Sequence, residues 1–67
     1  MQTILGANGT IGSLLAKELT AYTNDIRLVS RHPKKVNETD ELYPADLSDP
    51  GQVEKAIAGS EIVYLLV

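Results

Sequence analysis

Three glycines at a spacing of three, in Gly6-Ala7-Asn8-Gly9-Thr10-Ile11-Gly12, are the residues of this chain best placed to do chemistry. Their chemistry is the holding of an anion. Gly6 permits a tight turn, Gly9 has no side chain to keep a diphosphate off the backbone, and Gly12 lets a helix lie close on a sheet. A helix opening at Thr10 adds the free amides of Thr10 and Ile11 and a partial positive charge, with Asn8 in the same cradle. No lysine follows in a Gly-Lys-Ser/Thr arrangement, which excludes a nucleoside-triphosphate P-loop. Two other readings compete. Asn8-Gly9 is a hairpin dipeptide, but a hairpin needs Thr10 to Leu15 as a strand, against the helical spacing that runs on past them. A glycine turn that binds nothing is the second.

Positioning such a turn takes a strand before it and a helix after it. Gln2-Thr3-Ile4-Leu5 is a short β-leaning run ending at Gly6. Ile11, Leu14, Leu15, Leu19 and Tyr22 then recur at helical spacing, with Lys17, Glu18 and Thr20 opposite them. Tyr22 is expected to pack on the end of that helix. Asp25 to Ser30 reads as a second strand. Pro33 and the polar stretch from Lys34 to Asp40 form a loop with room for one helical turn. Glu41 to Ala45 is a weaker third strand. Asp49 is a fitting N-cap, with Pro50 at the first helical position and Gln52 completing a capping box. Val53, Ala56 and Ile57 give this second helix its apolar face, and Gly59 stands where a C-terminal glycine belongs. Ile62 to Val67 is a continuous apolar strand of the kind buried on both faces of a parallel sheet.

The order β-α-β-loop-β-α-β predicts an α/β fold with a parallel sheet and right-handed crossovers. Pro44 lacks a ladder donor, so its strand belongs at an edge. In the strand order 3-2-1-4 the third strand is that edge, which agrees. Both crossover helices are expected on one face of the sheet. One face of the last strand would then be bare and its edge open, so residues 1–67 are expected to be the N-terminal part of a dinucleotide-binding domain in a longer protein.

Composition narrows the functions. The chain has 67 residues, no cysteine and one histidine (His32), which removes disulfide, thiolate, iron–sulfur and zinc-finger chemistry. A net charge of −3 argues against nucleic-acid or acidic-membrane partners. The run from Ile62 to Val67 is too short to cross a bilayer, and the Met1 end lacks the basic region of a signal peptide. A cytoplasmic location is the resulting expectation.

Four segments, in order, resemble the extended and atypical short-chain dehydrogenase/reductases, nearest to their NAD-dependent epimerase/dehydratase and NmrA-like groups. Gly6-Ala7-Asn8-Gly9-Thr10-Ile11-Gly12 is similar to their strand–turn–helix fingerprint. Ser30-Arg31-His32-Pro33 is similar to their Ser/Val-Arg-Asn-Pro, with His32 in place of Asn, and Ala45-Asp46-Leu47-Ser48-Asp49-Pro50 to their Gly-Asp-Leu-x-Asp-Pro. Ile62 to Val67 matches the strand that follows. The resemblance implies a Rossmann-type fold and a nicotinamide dinucleotide. It also implies that Asp46 accepts from the adenine amine while Leu47 packs on the ring. Leu66 and Val67, at the end of the fourth strand, fall in the crevice where such cofactors sit.

A dinucleotide site that prefers NAD carries an acid about 20 residues after the glycines, at the ribose hydroxyls. This chain has Ser30 and Arg31 there, which suit the 2′-phosphate of NADP and predict NADP over NAD. Arg31 as a plain surface cation is the alternative, as is Asp46 as a loop or capping residue. No tyrosine begins a Tyr-x-x-x-Lys proton-transfer pair: Tyr22 is followed four residues on by Ile26, and Tyr43 by Leu47. His32 reads as a loop side chain rather than a base or ligand. The chain is thus expected to bind cofactor in an epimerase/dehydratase-like oxidoreductase, with catalytic residues and the small-molecule substrate site outside it. The resemblance also admits a homodimer of the full protein. A non-catalytic NmrA-like redox sensor that binds NADP is the other function it allows.

Overall fold

A computed structural model describes residues 1–6 and 9–66 of the chain. The elements run β1 (Gln2–Leu5), α1 (Thr10–Leu19), β2 (Ile26–Ser30), β3 (Glu41–Pro44), α2 (Pro50–Ile57) and β4 (Ile62–Leu65). All strand pairings are parallel and the sheet order is β3-β2-β1-β4. Leu5 is in register with Val29 on one side and Leu65 on the other, and Val29 with Tyr43. Pro44 lies in the edge strand, where a missing amide breaks no ladder.

The two helices cover opposite faces, which corrects the expectation of one shared face. Neighbouring strand residues point to opposite sides. Ile4 and Leu28 join Ala16 and Leu19 of α1 in one core cluster, whereas Leu5 and Val29 join Ala56 of α2 in another. The reason is direction of travel. The chain steps one way across the sheet from β1 to β2 and the other way from β3 to β4. A right-handed crossover in each direction must use a different face.

Helix α1 turns a different stripe to the sheet from the one its large side chains suggest. Gly12, Ala16 and Leu19 are its buried residues, with Leu15 packed beside them. Small residues at Gly12 and Ala16 let the helix sit close, and Ile11 and Leu14 are left exposed on its flank. Tyr22 lies beyond the helix and is 84% exposed, so it packs on nothing.

No helical turn follows Pro33. The β2–β3 connection is irregular and closes on itself: the Asp40 carboxylate accepts from the amides of Val36 (3.1 Å) and Asn37 (2.7 Å). Asn37 Nδ2 donates to the Ala16 carbonyl at 3.0 Å, which ties the loop to α1, and Val36 packs against the α1-side core.

On the opposite face, Val53, Ala56 and Ile57 of α2 pack as their spacing predicts. Arg27 ties that helix to the sheet. Its Nη1 donates to the carbonyls of Ala56 (2.6 Å) and Ala58 (3.2 Å), its Nε to Glu41, and its guanidinium lies over the Tyr43 ring. Placing the cation at the C-terminal end of α2 also suits the helix dipole. β4 is not buried on both faces. Tyr64 packs into the α1-side core, but β4 contributes nothing to the α2-side cluster, and Leu65 is 66% exposed.

Candidate functional site

The first strand ends at a turn that only glycine can make. Gly6 has φ +86°, and a Cβ there would stand 2.7 Å from the Leu66 carbonyl oxygen. Its amide donates to Val29 O at 2.9 Å, and Leu66 N donates to Leu5 O at 3.0 Å. β1, β2 and the end of β4 are thereby drawn together at one rim of the sheet.

Gly9 is a glycine of another kind. Its backbone is extended (φ −77°, ψ 167°), a conformation open to any residue, and a Cβ built on it meets nothing within 4 Å. Neither fold nor packing asks for glycine there. The empty space belongs to a cleft of ≈ 320 Å³ lined, among the described residues, by Gly6, Gly9, Thr10, Ile11, Gly12 and Leu66. Gly9 is the N-cap of α1 and supplies no side-chain hydrogen bond. The first-turn amides of α1 have no intrahelical acceptor. An anion in the cleft would meet them.

The structure brings six of the expected site residues together around this cleft. Asn8 and Val67 lie outside the described residues. Ser30 follows Val29 at the C-terminal end of β2, level with Gly6. Val29 faces α2, so Ser30 points to the α1 side. It is 8% exposed, and its Oγ is buried without a hydrogen-bond partner among the described residues. A buried hydroxyl with no partner costs free energy unless something completes it.

Arg31 and Asp46 meet across the ends of β2 and β3. Arg31 Nη2 is 3.5 Å from Asp46 Oδ1, with the two side chains 71% and 39% exposed. That same Oδ1 accepts from Ser48 N (2.9 Å) and Ser48 Oγ (2.7 Å). The Ser48 hydroxyl and amide hold the Asp46 carboxyl below its ordinary range, and Arg31 adds to the effect. Ser48 was not among the expected site residues, although Asp-x-Ser is a recognisable spacing for an Asx turn. Leu47 is half-buried and packs against the α2-side core.

The capping box differs from expectation in one bond. Asp49 caps α2 by accepting from Gly51 N (3.0 Å) and Gln52 N (3.4 Å), but Gln52 Oε1 accepts from the amide of Asp46 (2.8 Å) rather than from that of Asp49. The first turn of α2 therefore steadies the Asp46 loop. His32 is exposed, and no cluster of His, Cys, Asp or Glu among the described residues could hold a metal. No helix among them is long and apolar enough to cross a membrane.

Residues 6–67 match the model of a family described as NAD(P)H-binding. The chain belongs to that family. A nicotinamide dinucleotide is accordingly the cofactor of this NAD(P)H-binding chain. Among solved structures it is similar to uronate dehydrogenase from Agrobacterium tumefaciens, at 24% identity and TM-score 0.83, over 97% of this chain and 25% of that one. A substituted form of the same enzyme complexed with NAD gives the same figures. A protein assigned as an epimerase from Burkholderia cenocepacia J2315 follows at 23% identity and TM-score 0.80, over 98% of this chain and 24% of its own. Identities this low show a shared fold. None of the curated proteins matches the chain.

The chain thus spans about a quarter of the length of these structures. The family match bears out the expected nicotinamide dinucleotide, and these neighbours bear out the Rossmann-type fold.

Proposed function

We propose that this chain is the cofactor-binding unit of an epimerase/dehydratase-like oxidoreductase and seats the dinucleotide pyrophosphate at Gly6, Asn8, Gly9, Thr10, Ile11 and Gly12. The observation that carries this reading is Gly9. Its backbone conformation needs no glycine and its missing Cβ leaves open cleft. The absent side chain therefore makes room for something other than the protein. Amides at the start of α1, which have no acceptor within the helix, supply donors and partial positive charge to a phosphate in that space.

The residues at the rim fit the rest of the cofactor. The buried, unpartnered Ser30 Oγ can complete its hydrogen bonding on the adenosine ribose or its 2′-phosphate. Arg31 offers a guanidinium for the same phosphate, and the end of β2 carries no carboxylate to repel it, so NADP is the preferred form. Asp46 and the exposed part of Leu47 face the adenine in this reading, with Leu66 and Val67 beyond the pyrophosphate. Nicotinamide, when bound, supplies hydride transfer. Neither Tyr22 nor Tyr43 starts a Tyr-x-x-x-Lys pair that could move the accompanying proton. The substrate site and the proton-transfer group belong elsewhere in the protein.

The test is Gly9→Val, read by NADPH fluorescence titration beside thermal unfolding. A loss of about 100-fold in affinity is expected, the size of one or two charge-assisted hydrogen bonds. The unfolding temperature should fall by only about 4–8 °C, the cost of a poorer N-cap, and the protein stay folded. Undiminished NADPH affinity in a folded Gly9→Val protein would overturn the proposal.

A further inference from the structure

Arg31, the cation assigned to the 2′-phosphate, already has an anion beside it. Asp46 Oδ1 lies 3.5 Å from Arg31 Nη2. That carboxylate is held in place by both the amide and the hydroxyl of Ser48, while Gln52 fixes its backbone amide. Arg31 is the more exposed member of the pair, 71% against 39% for Asp46. A fixed carboxylate and an incoming phosphate then compete for one guanidinium.

We infer that Asp46 is a specificity-determining residue that restrains the preference for a 2′-phosphorylated adenosine by competing with it for Arg31. This rests on the NADP reading above and adds a direction to it. Arg31 attracts the phosphate, and the loop between β3 and α2 supplies the group that keeps this attraction moderate. A cofactor without the 2′-phosphate leaves the Arg31–Asp46 pair intact and is not penalised by it. The separation of the two strands' ends thus tunes how sharply the site tells the two cofactors apart.

Asp46→Asn tests this cleanly, because asparagine keeps an oxygen for Ser48 and loses only the charge. The probes are 2′,5′-ADP and 5′-AMP, which differ only in the 2′-phosphate, titrated calorimetrically into the full protein, the readout being the ratio of their dissociation constants. Any change at the adenine is common to both probes and cancels. An exposed ion pair is weak, so the expected gain in preference for 2′,5′-ADP is about fivefold. The gain should vanish when Asp46→Asn is made in an Arg31→Ala background. A ratio unchanged or lowered by Asp46→Asn overturns the inference, as does a gain that survives without Arg31. If Arg31→Ala lowers the ratio while Asp46→Asn does not raise it, the NADP reading stands and only the restraint by Asp46 fails. If the unsubstituted protein shows no preference for 2′,5′-ADP, both fall.

Discussion

The two helices begin in opposite ways. α2 opens under its own carboxylate: Asp49 accepts from Gly51 N and Gln52 N, and Gln52 Nε2 donates back to Asp49 Oδ2 at 3.2 Å. Pro50 adds no amide to be satisfied. The far end of α2 is closed too, by Arg27 on the carbonyls of Ala56 and Ala58. α1 opens on Gly9, which caps nothing, and its first turn lines a cleft. Both helices cross between parallel strands and bring the same partial charges to their ends. One spends its amides on the fold and the other turns them toward the cleft. A side-chain oxygen at the N-cap typically contributes ~1 kcal/mol over alanine, and the glycine of α1 falls short of it by only a few tenths of a kcal/mol.

The contrast can be broken most severely at the turn that feeds α1. Gly6→Ala forces a side chain onto a φ of +86° and within 2.7 Å of the Leu66 carbonyl oxygen. Left-handed backbone and a backbone overlap together should cost about 3 kcal/mol. Urea unfolding should show the midpoint falling sharply, whatever the ligand does. A midpoint that does not move would mean that β1 and Leu66 part easily, and the cleft would lose one of its walls.

Exchanging the two N-caps is the sharper experiment and a smaller one. Asp49→Ala should cost α2 about 1 kcal/mol and leave NADPH affinity alone. Gly9→Asp gives α1 the cap it lacks, so stability should hold or rise by a few tenths of a kcal/mol. The new carboxylate occupies the space and repels phosphate, and affinity should fall by at least about 30-fold, the cost of losing a charge-assisted hydrogen bond. Urea midpoints and NADPH titration on both variants decide it. If Gly9→Asp binds NADPH normally, the open helix end is only a poor cap and the contrast has no functional content.

Much of this contrast was legible in the residues, and the exceptions share a cause. Asp49-Pro50 and Gly59 mark the ends of α2 because capping is local chemistry, and Gly59 does take φ +78°. Pro44 places β3 at the edge because one missing amide has one consequence. The buried stripe of α1 is legible at Gly12, whose spacing already sets it against the sheet, but not at Ala16, which does not register in a pattern of large apolar residues although smallness is what lets it face the sheet. The last strand does leave one face bare, as its apolar run in a half sheet predicts, but for another reason: α2 covers the opposite face over β1 and β2 and does not reach β4. The opposed helices follow from strand order and handedness taken together, never from either helix alone. At the site, the glycine spacing points to the cleft. The meeting of Arg31 with Asp46 and the stranded Ser30 hydroxyl need the register of β2 against β3 and β1, which no local pattern carries.

The smallest expected effect concerns the loop that leads into α2. Asp46 is held below its ordinary value of 3.8 chiefly by the Ser48 hydroxyl and amide. A carboxyl whose folded value is depressed binds fewer protons folded than unfolded. Its contribution is therefore complete above the ordinary value and is lost as pH falls through the lowered one. The stability difference between the parent and Asp46→Asn should stay constant from pH 7 to about pH 5, then shrink toward zero below the ordinary range. Urea midpoints for both proteins at pH 7, 4 and 3 would read it. A difference that persists undiminished at pH 3 would show that asparagine disturbs the Asx turn itself. The Asp46 loop would then owe its geometry to the shape of the side chain and not to its charge, and α2 would begin on a self-contained turn whatever the ionisation of the residue that precedes it.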